Sequence, residues 1–176
     1  MQNITAIVCC NKNNSIGKDL NLIYHIKDDL KRFKNMTENN VVIMGRKTFE
    51  SLPNSQPLKN RINIILTKDK DFFVDNDKID ESSEVYIVHS IEDLKDVIEA
   101  FLCDKKIFLI GGAEIYKLFI DNNLVDRIEM TFVDDDIIGD KFFPILDRSK
   151  WIQKSEKQET DSASGLKYQF ITFIRK

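Results

Sequence analysis

The chain has 176 residues, a length that suits one domain rather than two, and 42% of it is apolar, so a real core can be buried. Lysine and arginine (26) nearly balance aspartate and glutamate (29), and the net charge of −3 argues against an electrostatically driven nucleic-acid binder. No apolar run approaches the ~18 residues of a membrane span, and the first has neither the basic flank nor the small-residue cleavage site of a signal peptide.

That first run, Ile4–Cys10, predicts a strand. Val41–Met44, Arg61–Thr67, Val85–Val88 and Lys106–Ile110 are further short runs rich in β-branched residues and predict buried strands. Amphipathic segments lie between them. Ile26–Thr37 carries Ile26, Leu30, Phe33 and Met36 on one helical stripe. Ser90 caps a predicted helix over Ile91–Leu102, with Asp93 completing an approximate capping box. A third helix, Ala113–Ile120, follows Gly111-Gly112. Residues 68–84 are charged and irregular, a surface loop or a weak edge. In the tail, Leu124–Val133, Trp151–Glu159 and Lys167–Ile174 read as strands without helices, and Asp161–Gly165 is turn chemistry that joins the last two in a hairpin. The alternation predicts an α/β fold with a mostly parallel sheet, and the lack of a repeat or linker predicts one domain over residues 1–176.

The three cysteines do not pair by spacing. Cys9 and Cys10 are adjacent, so on a strand they face opposite ways, and Cys103 stands alone. His25 and His89 lie at no ligand-like distance from them; no metal is expected, and reduced thiols of a cytoplasmic protein are.

Asp29 is the informative acid. It shares the apolar stripe of its helix, whereas Asp28 falls with Lys31, Arg32 and Asn35 on the polar face and reads as solvated. A carboxylate driven toward a core is costly unless paired, and desolvation raises its pKa above the ~3.9 of free Asp. Periodicity alone leaves open that Asp29 merely borders the core.

Gly17, Gly45, Gly111 and Gly112 close apolar runs. Gly111-Gly112 joins a strand to a helix whose N-terminal N–H groups suit an anion such as a pyrophosphate, although most such pairs are only tight turns. Gly45-Arg46-Lys47-Thr48 repeats the arrangement with cations and a hydroxyl suited to a phosphate. Arg46 and Lys47 as ordinary solvated charges remain the alternative. Arg61 heads a strand, where a guanidinium can clamp a carboxylate.

Taken in order, Ser15-Ile-Gly-Lys, Asp29-Leu-Lys-Arg-Phe33 through Met36-Thr37, Val42-Ile-Met-Gly-Arg-Lys-Thr48, Arg61–Thr67, Ile110-Gly-Gly-Ala-Glu-Ile-Tyr116, Met130-Thr131 and Gly139-Asp-Lys-Phe-Phe-Pro144 resemble dihydrofolate reductase over nearly the whole chain. The resemblance implies an eight-stranded, mostly parallel mixed sheet flanked by helices with an antiparallel C-terminal hairpin. It implies reduction of 7,8-dihydrofolate by NADPH, in a monomer with no nucleic-acid or membrane partner. Asp29 falls at the family's active-site acid, with Thr131 behind it and Tyr24 beside it. Val8, Cys9, Leu30, Phe33, Leu52, Arg61 and Ile110 match substrate-binding positions, Arg61 gripping the glutamate α-carboxylate. Cys9, Ile16, Gly17, Gly45, Arg46, Lys47, Thr48, Thr67, Lys68, Gly111, Gly112, Ala113, Glu114, Ile115 and Tyr116 match cofactor contacts, and Gly111-Gly112 a family cis peptide. Residues 16–24 match a mobile loop. No thymidylate synthase segment follows, so a monofunctional chain is expected. Two other readings remain: a same-fold reductase of another heterocycle, such as a riboflavin-pathway pyrimidine, and an NADPH- and folate-binding protein with little turnover. Two stretches depart from the family: Ile23-Tyr24 stands for its usual Pro-Trp, and Lys59-Asn60 for its frequent Pro-Gly.

Overall fold

Helices cover both faces of the central sheet, which is why its inner strands are continuous apolar runs rather than alternating ones. The structure is a computed structural model and describes residues 3–101, 104–155 and 158–176. Strand β1 (Ile4–Asn11) leads through short β2 (Ser15–Lys18) and β3 (Asn21–Leu22) to helix α1 (Lys27–Thr37). Then come β4 (Val41–Gly45), α2 (Arg46–Glu50), β5 (Ile62–Leu66), β6 (Glu84–Val88), α3 (Ile91–Glu99), β7 (Ile107–Leu109), α4 (Ala113–Asp121) and β8 (Arg127–Val133). The tail adds β9 (Lys141–Phe142), β10 (Trp151–Ser155), β11 (Glu159–Thr160) and β12 (Lys167–Arg175).

The main sheet runs β10-β12-β8-β1-β7-β4-β5-β6. Pairs from β8 to β6 are parallel, and β12 and β10 are antiparallel, as expected. The two-residue strand β11 pairs with β12 alone among the described residues. Strand alternation sorts the core into two layers. Ala6, Val8, Cys10, Ile43, Ile64 and Leu109 pack with Leu94 and Ile98 of α3 and Tyr116 and Phe119 of α4. Ile7, Val42, Met44, Ile65 and Phe108 face the other way, onto Phe33 and Met36 of α1 and Phe49 of α2. Each fully buried side chain of this kind contributes about 1.5–3 kcal/mol.

The chain builds outward from β1 to β6, returns to β7 beside β1, and crosses through α4 to β8 on its other side. The winding therefore reverses at β1. Open α/β sheets place their ligand crevice beyond the carboxyl ends of the strands at such a point.

Some expected boundaries move. Helix α3 ends at Glu99, and Leu102 and Cys103 lie outside the described residues. The strand expected from Leu124 begins at Arg127, because Asn123 turns with φ 55° and the Leu124 N–H donates to Phe119 O at 2.9 Å, closing α4. The stretch Trp151–Glu159 divides into β10 and β11, with residues 156 and 157 outside the description. The Asp161–Gly165 turn does join β11 to β12. Ser90 accepts from the Asp93 N–H at 3.0 Å, and Asp93 reaches back to the His89 N–H at 3.1 Å. Strands β2, β3 and β9 form a second small sheet that their lengths hide from any periodicity. No helix among the described residues is long and apolar enough to cross a membrane.

Candidate active site

Asp29 lies in the first turn of α1, where the aligned peptide dipoles favour negative charge. Ile26 is buried and Phe33 and Met36 pack into the core, so the stripe holds, while Leu30 remains 42% exposed. Thr131 lies on the α1-facing side of β8, and its hydroxyl donates to Asp29 Oδ1 at 2.6 Å. Burial pushes the Asp29 pKa above the usual carboxylate range, against the Thr131 hydrogen bond and the positive charge of Arg32. Asp28 requires a correction. It is exposed but not merely solvated, because the buried Tyr168 of β12 donates its hydroxyl to Asp28 Oδ2 at 2.8 Å. That partner is 140 residues away, beyond any helical periodicity.

Cys9 and Cys10 do face opposite sides: Cys10 sits in the α3/α4 layer and Cys9 beside Tyr24 and Ile26. Burial raises both thiols, Cys10 to about 12, and Asp29 raises Cys9 further, so neither is a thiolate at neutral pH. Tyr24 is buried. Its hydroxyl donates to Asp135 Oδ2 at 2.9 Å and accepts from Asn11 Nδ2 at 2.8 Å, which ties the segment after β3 to the end of β1 and the acidic turn after β8. Val8 points its side chain into the α3/α4 layer, leaving only its backbone toward the crevice. Phe33, Leu52 and Ile110 gather on the opposite side with Ile7. At the far end of α1, Arg61 is 8% exposed; its guanidinium donates to Thr37 Oγ1 at 3.1 and 3.2 Å and to Lys34 O at 3.3 Å.

The two glycine turns face each other across the β4/β7 pair. The Gly45 N–H donates to Gly111 O at 2.8 Å. A Cβ on Gly45 would lie 2.8 Å from Ile115, and one on Gly112 3.0 Å from Thr48 Oγ1. Gly111 has φ +117°, a region that L side chains rarely adopt, and its peptide to Gly112 is cis. Gly112 caps α4 without a side-chain acceptor, so the N–H groups of its first turn, around Ala113 and Glu114, lack a side-chain partner. The Tyr116 hydroxyl anchors this turn by donating to Ile7 O. Beside it, half-buried Arg46 pairs with Glu50 at 3.0 Å, Lys47 and Lys68 are exposed, and buried Thr67 accepts from the Asp69 N–H at 3.1 Å. Ile16 packs on the core from β2, and Gly17 O accepts from the Asp140 N–H at 3.0 Å. Uncapped N–H groups, close backbones and neighbouring cations together fit a dinucleotide phosphate.

Sequence reasoning missed three neighbours. His89 Nδ1 lies 3.0 Å from Thr67 O, carried there by the β5/β6 pairing. Arg32 and Glu129 form an ion pair between α1 and β8. Their separation of 97 residues left no local signal.

The dihydrofolate reductase family model matches residues 3–175. The dihydrofolate reductase of Bacillus subtilis is 35% identical over 174 residues, covering 98% of this chain and 95% of that protein. The dihydrofolate reductase of Neisseria meningitidis is 32% identical, covering 99% of each. Among solved structures, the Enterococcus faecalis dihydrofolate reductase complexed with NADP(H) and RAB-propyl has a TM-score of 0.78 and 27% identity, over 98% of this chain and 96% of that one.

Proposed function

The chain belongs to the dihydrofolate reductase family, and on that premise we propose that its crevice reduces 7,8-dihydrofolate to tetrahydrofolate with Asp29 as the acid. The carrying observation is one desolvated carboxyl, bonded to Thr131, at the point where the sheet winding reverses. When bound, NADPH supplies a hydride for C6 of the pterin.

Asp29 accepts hydrogen bonds from the pterin N3 and 2-amino group, and Thr131 fixes the carboxyl for them. Burial raises its pKa, and it promotes protonation of N5 directly or by polarising water beside it. Phe33, Leu30, Leu52 and Ile110, with the backbone of Val8 and Cys9, flank the ring and the benzoyl group. Arg61 already directs its guanidinium across the α1 terminus and meets the glutamate α-carboxylate there. Gly45–Thr48, Thr67, Lys68 and Gly111–Tyr116 would hold the cofactor phosphates, with Arg46 and Thr67 at the adenosine 2′-phosphate. Ile16 and Gly17 belong to the segment that would cover the nicotinamide. Tyr24 positions this segment through Asn11 and Asp135 rather than supplying a proton. The reading extends to a monomeric, cytoplasmic protein without a nucleic-acid partner and to one domain over 1–176.

Loss of 340-nm absorbance with NADPH and dihydrofolate tests the reading, with NADH and an aminopyrimidine as comparison substrates. Asp29→Asn is expected to cut turnover at least ~10²-fold, the usual contribution of a positioned acid. Asp28→Asn, whose amide oxygen can still accept from Tyr168, is expected to retain turnover. Faster reduction of the pyrimidine than of dihydrofolate points to the alternative reductase, and tight NADPH and folate binding without turnover to a binding protein; either overturns the proposal.

A further inference from the structure

Helix α1 and strand β8 are joined by two polar rungs. The first is Asp29–Thr131. The second is Arg32–Glu129, one turn along the helix and two residues back along the strand. Glu129 is 3% exposed on its side chain, yet its carboxyl oxygens take three donors: Arg32 Nη2, Arg127 Nε and, at 2.9 Å, the Thr172 hydroxyl of β12. The Arg32 guanidinium also stacks on Phe170 of β12, 4.6 Å from the ring centroid. Arg32 is thus clamped from two strands and cannot swing freely, and Glu129 has no solvent outlet that would let it drift.

Around the Asp29 carboxyl lie the Cys9 thiol from β1, Arg32 from α1 and the uncharged Thr131 from β8, while the Tyr116 phenol of α4 sits in the α3/α4 layer and donates to Ile7 O. Burial raises the Cys9 thiol and the Tyr116 phenol, so both are neutral across the working range. Arg32 is then the cation that acts on Asp29 among the described residues. A fixed positive charge on one side of a desolvated acid sets how much of it is ionised. Glu129 fixes that charge and, being negative itself, tempers it.

We propose that Arg32, held by buried Glu129, is a positioning residue that sets the working pH range of the Asp29 acid. The proposal rests on the assignment of Asp29 made above. It makes two opposite demands. Removing the cation leaves Asp29 harder to ionise, and removing its counter-charge leaves Asp29 easier to ionise.

The test is carbon-13 NMR titration of the aspartate carboxyls in the full chain, with Asp29→Asn to identify the resonance, beside pH profiles of kcat/KM. Arg32→Gln is expected to raise the Asp29 titration by about 0.5–1 unit and Glu129→Gln to lower it, while Arg32→Lys stays near the wild-type value. The acidic-to-neutral limb of kcat/KM moves the same way in each variant. If Arg32→Gln fails to fold, Glu129→Gln decides the matter together with amide exchange at Met130 and Thr131: a downward shift with unchanged exchange supports the proposal, and one with faster exchange overturns it, since loosening of the α1/β8 contact rehydrates Asp29 and lowers its pKa by itself. Shifts of the same sign in both charge-removing variants, or no shift in either, overturn the proposal. The NMR titration needs no turnover, so an inactive protein with these shifts refutes the reductase reading and leaves the coupling standing.

Discussion

At the scale of single residues, the acid proposed for the chemistry weakens the fold. The Asp29 pKa lies above its ordinary value of 3.8, with burial as the largest cause, so ionising it costs the folded state more than the unfolded one. Stability therefore declines as pH rises from that ordinary value through the raised folded one, and the penalty is fully present above it. Asn at this position cannot ionise, and its side-chain oxygen still accepts from Thr131. Asp29→Asn is expected to melt above the wild type at pH 7 and to converge with it below about pH 4. Melting curves across that range check this; a variant less stable than wild type at pH 7 would show that the carboxylate is held by more than Thr131 and Arg32. The position of Asp29 was legible because a 3.6-residue stripe runs through Ile26, Phe33 and Met36. Its partner Thr131 came only from the family resemblance, and Arg32–Glu129 and Asp28–Tyr168 from neither, since they join residues far apart in the chain. Local patterning orients a side chain toward the core but does not say what meets it there.

At the scale of elements, the strands that carry the site were the most legible part. Buried on both faces, they are short β-branched runs, and their exits coincide with the glycines. The segment after β1 was the least legible. It folds as β2 and β3 against β9, and the contact that holds this small sheet is backbone on backbone. The Asp140 N–H donates to Gly17 O, and the Gly139 N–H to the Ser15 hydroxyl at 3.0 Å. A Cβ at Gly139 would sit 2.3 Å from Gly17 O and 2.9 Å from Ile23 Cδ1, closer than packing allows. One of the two segments must then move, at an overpacking cost of about 1–3 kcal/mol. Gly139→Ala is therefore expected to free Ile16–Tyr24 from β9 while the main sheet, with which Gly139 makes no pairing, stays folded. Amide hydrogen exchange should quicken at Gly17 and Lys18 and stay unchanged in β4 and β5. Uniform loss of protection across both sheets would mean that the small sheet and the main sheet unfold as one unit.

At the scale of the whole molecule, a chain of net charge −3 must take up an anionic cofactor and an anionic substrate. The overall field opposes both, so affinity is expected to depend on cations gathered at the strand exits, where low-dielectric walls strengthen them. Arg46 is the best placed of these. Its present partner, Glu50, forms an i,i+4 pair with both side chains more than a third exposed, the kind worth ~0–1 kcal/mol. A charge-assisted, bidentate bond to a phosphate outweighs that, so Arg46 can exchange one for the other. The 2′-phosphate distinguishes NADPH from NADH, and the difference should be visible without any turnover. A ligand that binds only the folded state at one hundred times its Kd stabilises by about 2.7 kcal/mol. In a chain of this size that is roughly 5–10 °C of Tm. NADPH is expected to produce a shift of that order, and NADH at the same concentration a clearly smaller one. Arg46→Gln should lower the NADPH shift toward that of NADH and leave the NADH shift unchanged, because only the phosphate contact is lost. If both shifts shrank equally, Arg46 would be acting on the part that the two cofactors share, and selection for the phosphate would have to come from Thr67, Lys68 or the neighbouring His89.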